Sequence, residues 1–291
     1  MQLNLFLVSL LNGVLYGAFL LLTSLGVSLV FGLGRVVNFA HGALYALGGY
    51  ALVAVMKVSG APFWLALIVG PLLVVPVAIV IERATIFPIR NRPEIYTLLV
   101  TFGLTFILVG GIEMIWGSGT TLVTSPPLLS GSVDILGAPY PIYRLFAAGV
   151  SLLISAGVFA FILLTPIGLQ IRAVTDDAEM AEALGVKTRW LLTMVFGAAA
   201  GLAGFAGALG TPIFAVNPEM GSGILIDSFL AVILGGLGNL PGSALGALIV
   251  ALTKSVGGSF IAEWSVAILF LVVALALIFR PTGLFGRGRV A

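Results

Sequence analysis

The chain alternates long apolar stretches with two short polar ones, and that alternation predicts its architecture. A segment needs about 20 predominantly apolar residues to cross a bilayer. Runs of that kind fall near residues 5–31, 37–56, 62–82, 95–116, 142–165, 191–213, 223–238, 242–257 and 263–280. The stretch 223–257 is broken by glycine, so the expectation is eight to ten spans in an all-α polytopic membrane protein, one transmembrane domain over residues 1–291. The first polar connection, Glu82 to Glu94, holds Arg83, Arg90 and Arg92, with Pro88 and Pro93 set against a continuous helix. The second, within about 166–190, contains GLQIRAVTDDAEMAEALGVKTRW from Gly168 to Trp190. Both connections and the C-terminal tail (Arg280, Arg287, Arg289) are rich in Lys and Arg, which predicts one shared, cytoplasmic side. Residues 118–141, with Asp134 as their one charge, then fall outside, and nine spans with an external N-terminus satisfy the parity. Arg35 is the one charge marking the cytoplasmic side at the N-terminal end.

Composition agrees and excludes alternatives. Of 291 residues 60% are hydrophobic and 8% charged, against about 25% charged in a soluble domain. With no cysteine and one histidine, disulfides, thiolate chemistry and a histidine-rich metal centre are excluded, so no metal site is expected. A net charge of +2 gives no footprint for nucleic acid. The first apolar run starts at Leu3 without a basic leader and outruns a signal peptide, so it is expected to stay in the membrane.

Seven of the 24 charges (Arg172, Asp176, Asp177, Glu179, Glu182, Lys187 and Arg189) lie in the second polar connection. Thr175 or Asp176 suits an N-cap, Glu179 suits the third helical position of a capping box, and Gly185 suits the residue after the helix. These signals predict a short cytoplasmic helix from about 176 to 184. Such a helix is marginal alone in water. Four acidic residues also disfavour rest on anionic headgroups, because interfacial helices place Lys and Arg on the polar face. Docking against a protein fits better.

Polar residues inside spans are costly and tend to face a cavity or a partner. Asn38 and His41, three apart, are expected on one helix face, either lining a solute path or buried against backbone carbonyls. Glu113 and Asp227 are expected near the external ends of their spans, either to receive an amino group or meet a binding protein, or simply to reach water. Thr101, Gly103 and Thr105 occupy mid-span, where core packing competes with a path-lining role. Gly201, Gly204 and Gly207 with Ala208 make a close-packing face. A faint echo links Gly32-Leu33-Gly34, Asn38 and Gly42 with Gly236-Leu237-Gly238, Asn239 and Gly242. It fits an internal repeat with the solute path at the breaks, or chance in a chain with 38 glycines.

Gly168-Leu169-Gln170-Ile171-Arg172-Ala173-Val174, Ala181-Glu182-Ala183-Leu184-Gly185-Val186 and Gly201-Leu202-Ala203-Gly204-Phe205-Ala206-Gly207 resemble permease subunits of bacterial ABC importers for branched-chain amino acids. So do Val37-Asn38-Phe39-Ala40-His41-Gly42, Asn91-Arg92-Pro93 and Leu234-Gly235-Gly236-Leu237-Gly238-Asn239-Leu240-Pro241-Gly242. The resemblance runs from about residue 5 to 285. It implies a coupling helix, with Arg172, Asp176, Asp177, Glu179, Glu182 and Gly185 meeting an ATPase subunit. The wider signature has Glu-Ala-Ala with Gly four residues on, where this chain has Glu182-Ala183-Leu184-Gly185. Asn38, His41, Thr101 and Asn239 are candidates for the solute path. The implied partners are a second, similar permease, two ATPase subunits, an extracytoplasmic binding protein and the lipid of a bacterial inner membrane. No Gly-x-x-x-x-Gly-Lys-[Ser/Thr] phosphate loop occurs, so ATP and Mg²⁺ belong to the ATPase subunits and this chain binds no cofactor and is not itself catalytic. The rival is a stand-alone carrier or channel for small polar solutes, which leaves the acidic segment unexplained. A membrane enzyme would need paired carboxylates on one helix within the membrane, and none is present. Few charges along the spans favour a neutral or zwitterionic solute, among branched-chain and other amino acids, urea or amides, and aromatic acids.

Overall fold

The computed structural model describes residues 2–90, 92–135 and 138–286. Among them run eleven α-helices and one small hairpin. Helices α1 (Gln2–Gly34), α2 (Ala40–Ser59), α3 (Phe63–Ile81) and α4 (Glu94–Trp116) form the first half. Strands β1 (Ser132–Ile135) and β2 (Ala138–Pro141) precede α5 (Ile142–Leu164). The polar connection folds as α6 (Pro166–Asp176) and α7 (Ala178–Ala183), followed by α8 (Thr188–Gly210), α9 (Met220–Gly235), α10 (Leu240–Phe260) and α11 (Ser265–Phe279). Eight helical stretches are long and apolar enough to cross a membrane, and α9 is a shorter apolar helix. All nine expected spans are therefore present as helices in a multi-pass membrane protein. The hairpin, which pairs Val133 with Tyr140, was not expected from the sequence.

Close backbone approach holds the centre together. A Cβ at Gly48 would strike the backbone of Gly204, and one at Gly207 would strike the carbonyl of Tyr45. The Gly201–Gly207 face thus joins α8 to α2 and α3 within the chain, where small residues let helices approach in lipid. By contrast, Leu99, Phe106, Ile107 and Met114 of α4 are exposed, as an outward-facing helix would leave them.

Contacts sort the connections into two ends. At one end a Cβ on Gly32 would lie 3.1 Å from Gly238 Cα. There the C-terminal segment donates from Leu284 N to Leu234 O and from Phe285 N to Gly235 O. Here α1 finishes, α6 and α7 attach, and α10 begins. At the other end Thr121 bridges Val216, Ser9 bonds Ser259 and Tyr140 reaches Asn12. The basic connections thus share one end, as the charge pattern predicts. Arg287, Arg289 and Asn91 lie outside the described residues.

The first polar connection differs from expectation. The chain does not leave helix at Glu82: a π-helical turn, Glu82–Ile86, and a 3₁₀ turn, Phe87–Ile89, continue α3. Glu82 is buried and accepts from Thr193 Oγ1 at 2.9 Å, with Arg83 Nε 3.7 Å away. A π-bulge of this kind is rare and often marks a functional site.

Candidate functional site

The acidic segment is built by caps. Pro166 opens α6 at a position where its missing N–H costs nothing, and Thr165 Oγ1 accepts from Gly168 N at 3.0 Å. The next cap is Asp177, whose Oδ1 accepts from Met180 N at 3.0 Å. This corrects the sequence reading, in which Thr175 or Asp176 capped a helix of about ten residues. Asp176 instead ends α6, Glu179 sits one position too early for a capping box, and α7 has six residues. Two caps in succession break what the pattern suggested was one helix into two. The far end matches expectation: Gly185 has φ +91°, its N–H donates to Glu182 O at 2.9 Å, and Val186 N donates to Ala181 O at 3.0 Å. That paired closure needs a left-handed residue after the helix.

What steadies so short a helix is packing beneath it. Ile171, Val174 and Ala181 are buried in one cluster with Leu29, Leu33, Leu191 and Val195. Glu182 accepts from the hydroxyl of Thr188 at the start of α8, and Arg172 Nη1 donates to Leu163 O at 3.2 Å. Met180 and Leu184 remain 58% and 78% exposed at the end of the bundle, flanked by exposed Asp177, Glu179 and Glu182. An apolar pair with an acidic surround, rigidly mounted, is a shape for a protein cleft carrying basic groups.

A second site lies within the bundle. After Gly34 the chain turns back at Arg35 (φ +49°) and runs unwound to Phe39. The His41 side chain, in the first turn of α2, then meets Thr23, about 16 Å back along α1 at 1.5 Å per residue. Asn38 therefore precedes α2 and shares no helix face with His41, contrary to the spacing argument. Unwound backbone at membrane depth persists only where protein or a cavity satisfies it. Thr101 Oγ1, fully buried on α4, donates to Val37 O at 2.9 Å. His41 Nε2 donates to Thr23 O at 3.2 Å, and Phe39 packs between Phe102 and Phe229, ring centres 6.0 and 5.4 Å away. Asn38 is 4% exposed, yet its Oδ1 has no partner among the described residues. Asn38, His41 and Thr101 are thus brought together. Asn239 is elsewhere: its Oδ1 caps α10 through Gly242 N at 2.8 Å and its Nδ2 donates to Phe285 O.

A third group centres on Asp227, which sequence reasoning named without its partners Tyr16 and Lys254. Asp227 does not reach water at a span end; it is buried and accepts from Tyr16 at 2.6 Å and Lys254 Nζ at 2.5 Å. Opposite charges in two apolar spans, 227 and 254, were the available signal. Glu113 is exposed near the end of α4, as expected. Gly103 has open space around its Cβ position, and Thr105 bonds back to Thr101 O at 3.0 Å.

A family model for the permease component of branched-chain amino acid transport systems matches residues 9–278. The chain is 28% identical over 300 residues to the high-affinity branched-chain amino acid permease proteins LivH of Salmonella typhimurium and BraD of Pseudomonas aeruginosa. Each alignment covers 98% of this chain and 97% of the relative. It is 27% identical over 293 residues to a probable LivH of Methanocaldococcus jannaschii, covering 94% and 91%. No solved structure matches significantly. Because the match runs from the first apolar helix into the last, the chain belongs to the family of permease components of branched-chain amino acid transport systems.

Proposed function

We propose that this chain is the transmembrane permease subunit of an ATP-driven importer, moving branched-chain or related amino acids across a bacterial inner membrane. Its partners are a second, similar permease, two ATPase subunits that bind and hydrolyse ATP with Mg²⁺, and an extracytoplasmic binding protein that delivers the solute. The observation that supports this reading most is the capped α6–α7 pair. It presents Met180 and Leu184 on a mount fixed to α1 and α8 through Ile171, Val174 and Ala181. Force applied there by closing ATPase subunits passes directly to α1 and α8. Of these, α1 leads into the unwound segment at Val37 and Asn38, the candidate gate. The movement is a shift between outward and inward populations driven by differential binding.

The test is co-purification from membranes, followed by ATPase activity in liposomes with candidate binding proteins. ATPase chains should accompany the wild type and be lost with Leu184→Asp, an exposed change that leaves the fold intact, and with Glu182→Lys. Recovery of the chain alone, with solute flux indifferent to ATP, would hand the function to a stand-alone carrier or channel.

A further inference from the structure

At the end of the bundle away from α7, a cavity of about 310 Å³ lies between α1, α5, α10 and the connection after α8. Phe19, Ala147, Ala148 and Phe214 give it apolar walls, and Arg144 and Lys254 bring two cations to it. The two cations are not equivalent. Lys254 is balanced by Asp227 at 2.5 Å. No carboxylate among the described residues pairs with Arg144. The recorded partner of its Nη1 is the neutral Asn12 Oδ1 at 3.5 Å, and that oxygen already accepts from Tyr140 at 2.6 Å. The cavity therefore has one positive charge in excess, on a planar fork of donors matched to a carboxylate.

We propose that this cavity binds a small carboxylate with an apolar body. Arg144 holds the oxyanion, and Phe19, Ala147 and Phe214 take the body. An amine lacking a carboxylate meets an excess cation and is disfavoured. The proposal rests on the importer reading and refines it, placing solute recognition in this subunit as well as in a binding protein.

The chain would be purified with whatever subunits accompany it and reconstituted in nanodiscs of zwitterionic phosphatidylcholine. Binding of labelled L-leucine is then measured, with 4-methylvalerate (carboxylate only) and leucinol (no carboxylate) as competitors. Saturable leucine binding should be displaced by 4-methylvalerate and not by leucinol. Arg144→Gln should weaken it about ten- to a hundredfold, the worth of a hydrogen bond to a charged group. Leu15→Trp, which fills the cavity, should weaken it as well. Equal affinity in wild type and both variants, or no saturable binding of either carboxylate, overturns the proposal. Displacement of leucine by added phosphatidylglycerol, with leucinol competing as well as 4-methylvalerate, also overturns it and makes the cavity a lipid-phosphate site. ATPase recovery is scored on the same preparations. Its absence from the wild type sinks the importer reading, whereas its presence with leucine affinity indifferent to Arg144 sinks the cavity alone.

Discussion

Asp227 shows how much one carboxylate can organise where water is scarce. From α9 it accepts from Tyr16 of α1 and Lys254 of α10, so three helices meet on one oxygen. Removing the cation strands the anion. Lys254→Met should destabilise the fold by about 3 kcal/mol, the low end for breaking a buried pair, because the Lys254 side chain is 43% exposed. Thermal unfolding in detergent measures this, and adding Asp227→Asn should recover much of the loss; an unchanged midpoint in the single variant would remove the pair from the stability account. Asp227 stood out in the sequence but its partner Lys254 did not, since a hydropathy window averages one charge away among its apolar neighbours. Asn38 was singled out for its polarity, yet its helix was assigned wrongly. Apolar flanks give no sign that the chain between Gly34 and Ala40 is unwound.

At the scale of elements, apolar length made nine helices readable within a few residues, and the caps refined what length could not. The Asp177 cap and the Gly185 closure use local rules, and one of the two was recognised. The other was obscured because three adjacent residues, Thr175, Asp176 and Asp177, can all cap a helix, and the local pattern does not choose among them. The unwound segment before α2 depends on a helix far away in sequence: Thr101 of α4 supplies the donor that Val37 O would otherwise lack. Thr101→Val keeps the shape and removes that donor, leaving a carbonyl unsatisfied at a cost of about 1–3 kcal/mol. Transport should fall while ATPase recovery stays unchanged, which separates the gate from the docking helix. Full transport by this variant would show that water satisfies Val37 O instead.

For the whole molecule, the charge pattern placed the basic connections together, and the contacts agree. The order of elements outside those connections, and the hairpin at the far end, depend on long-range packing with no periodic signature. The chain has no cysteine, so single cysteines report sidedness without background. Leu184→Cys and Leu128→Cys, both at highly exposed positions, should react with an impermeant maleimide from opposite sides of sealed vesicles; labelling from the same side would refute the single crossing by α5 that separates them. The apolar stretch Leu5–Gly34 of α1 has 30 residues, about 45 Å of helix against about 30 Å of hydrocarbon. Leu29 and Leu33 at one end are covered by α6 and α7, but upright in a bilayer of ordinary thickness the exposed Leu5, Phe6 and Leu10 at the other end would approach water. The helix must lean or locally thicken the lipid, and the unwound segment hangs from its lower end. Acyl-chain length therefore enters the energetics of this protein directly: a thinner membrane tips α1 further and shifts everything suspended from it.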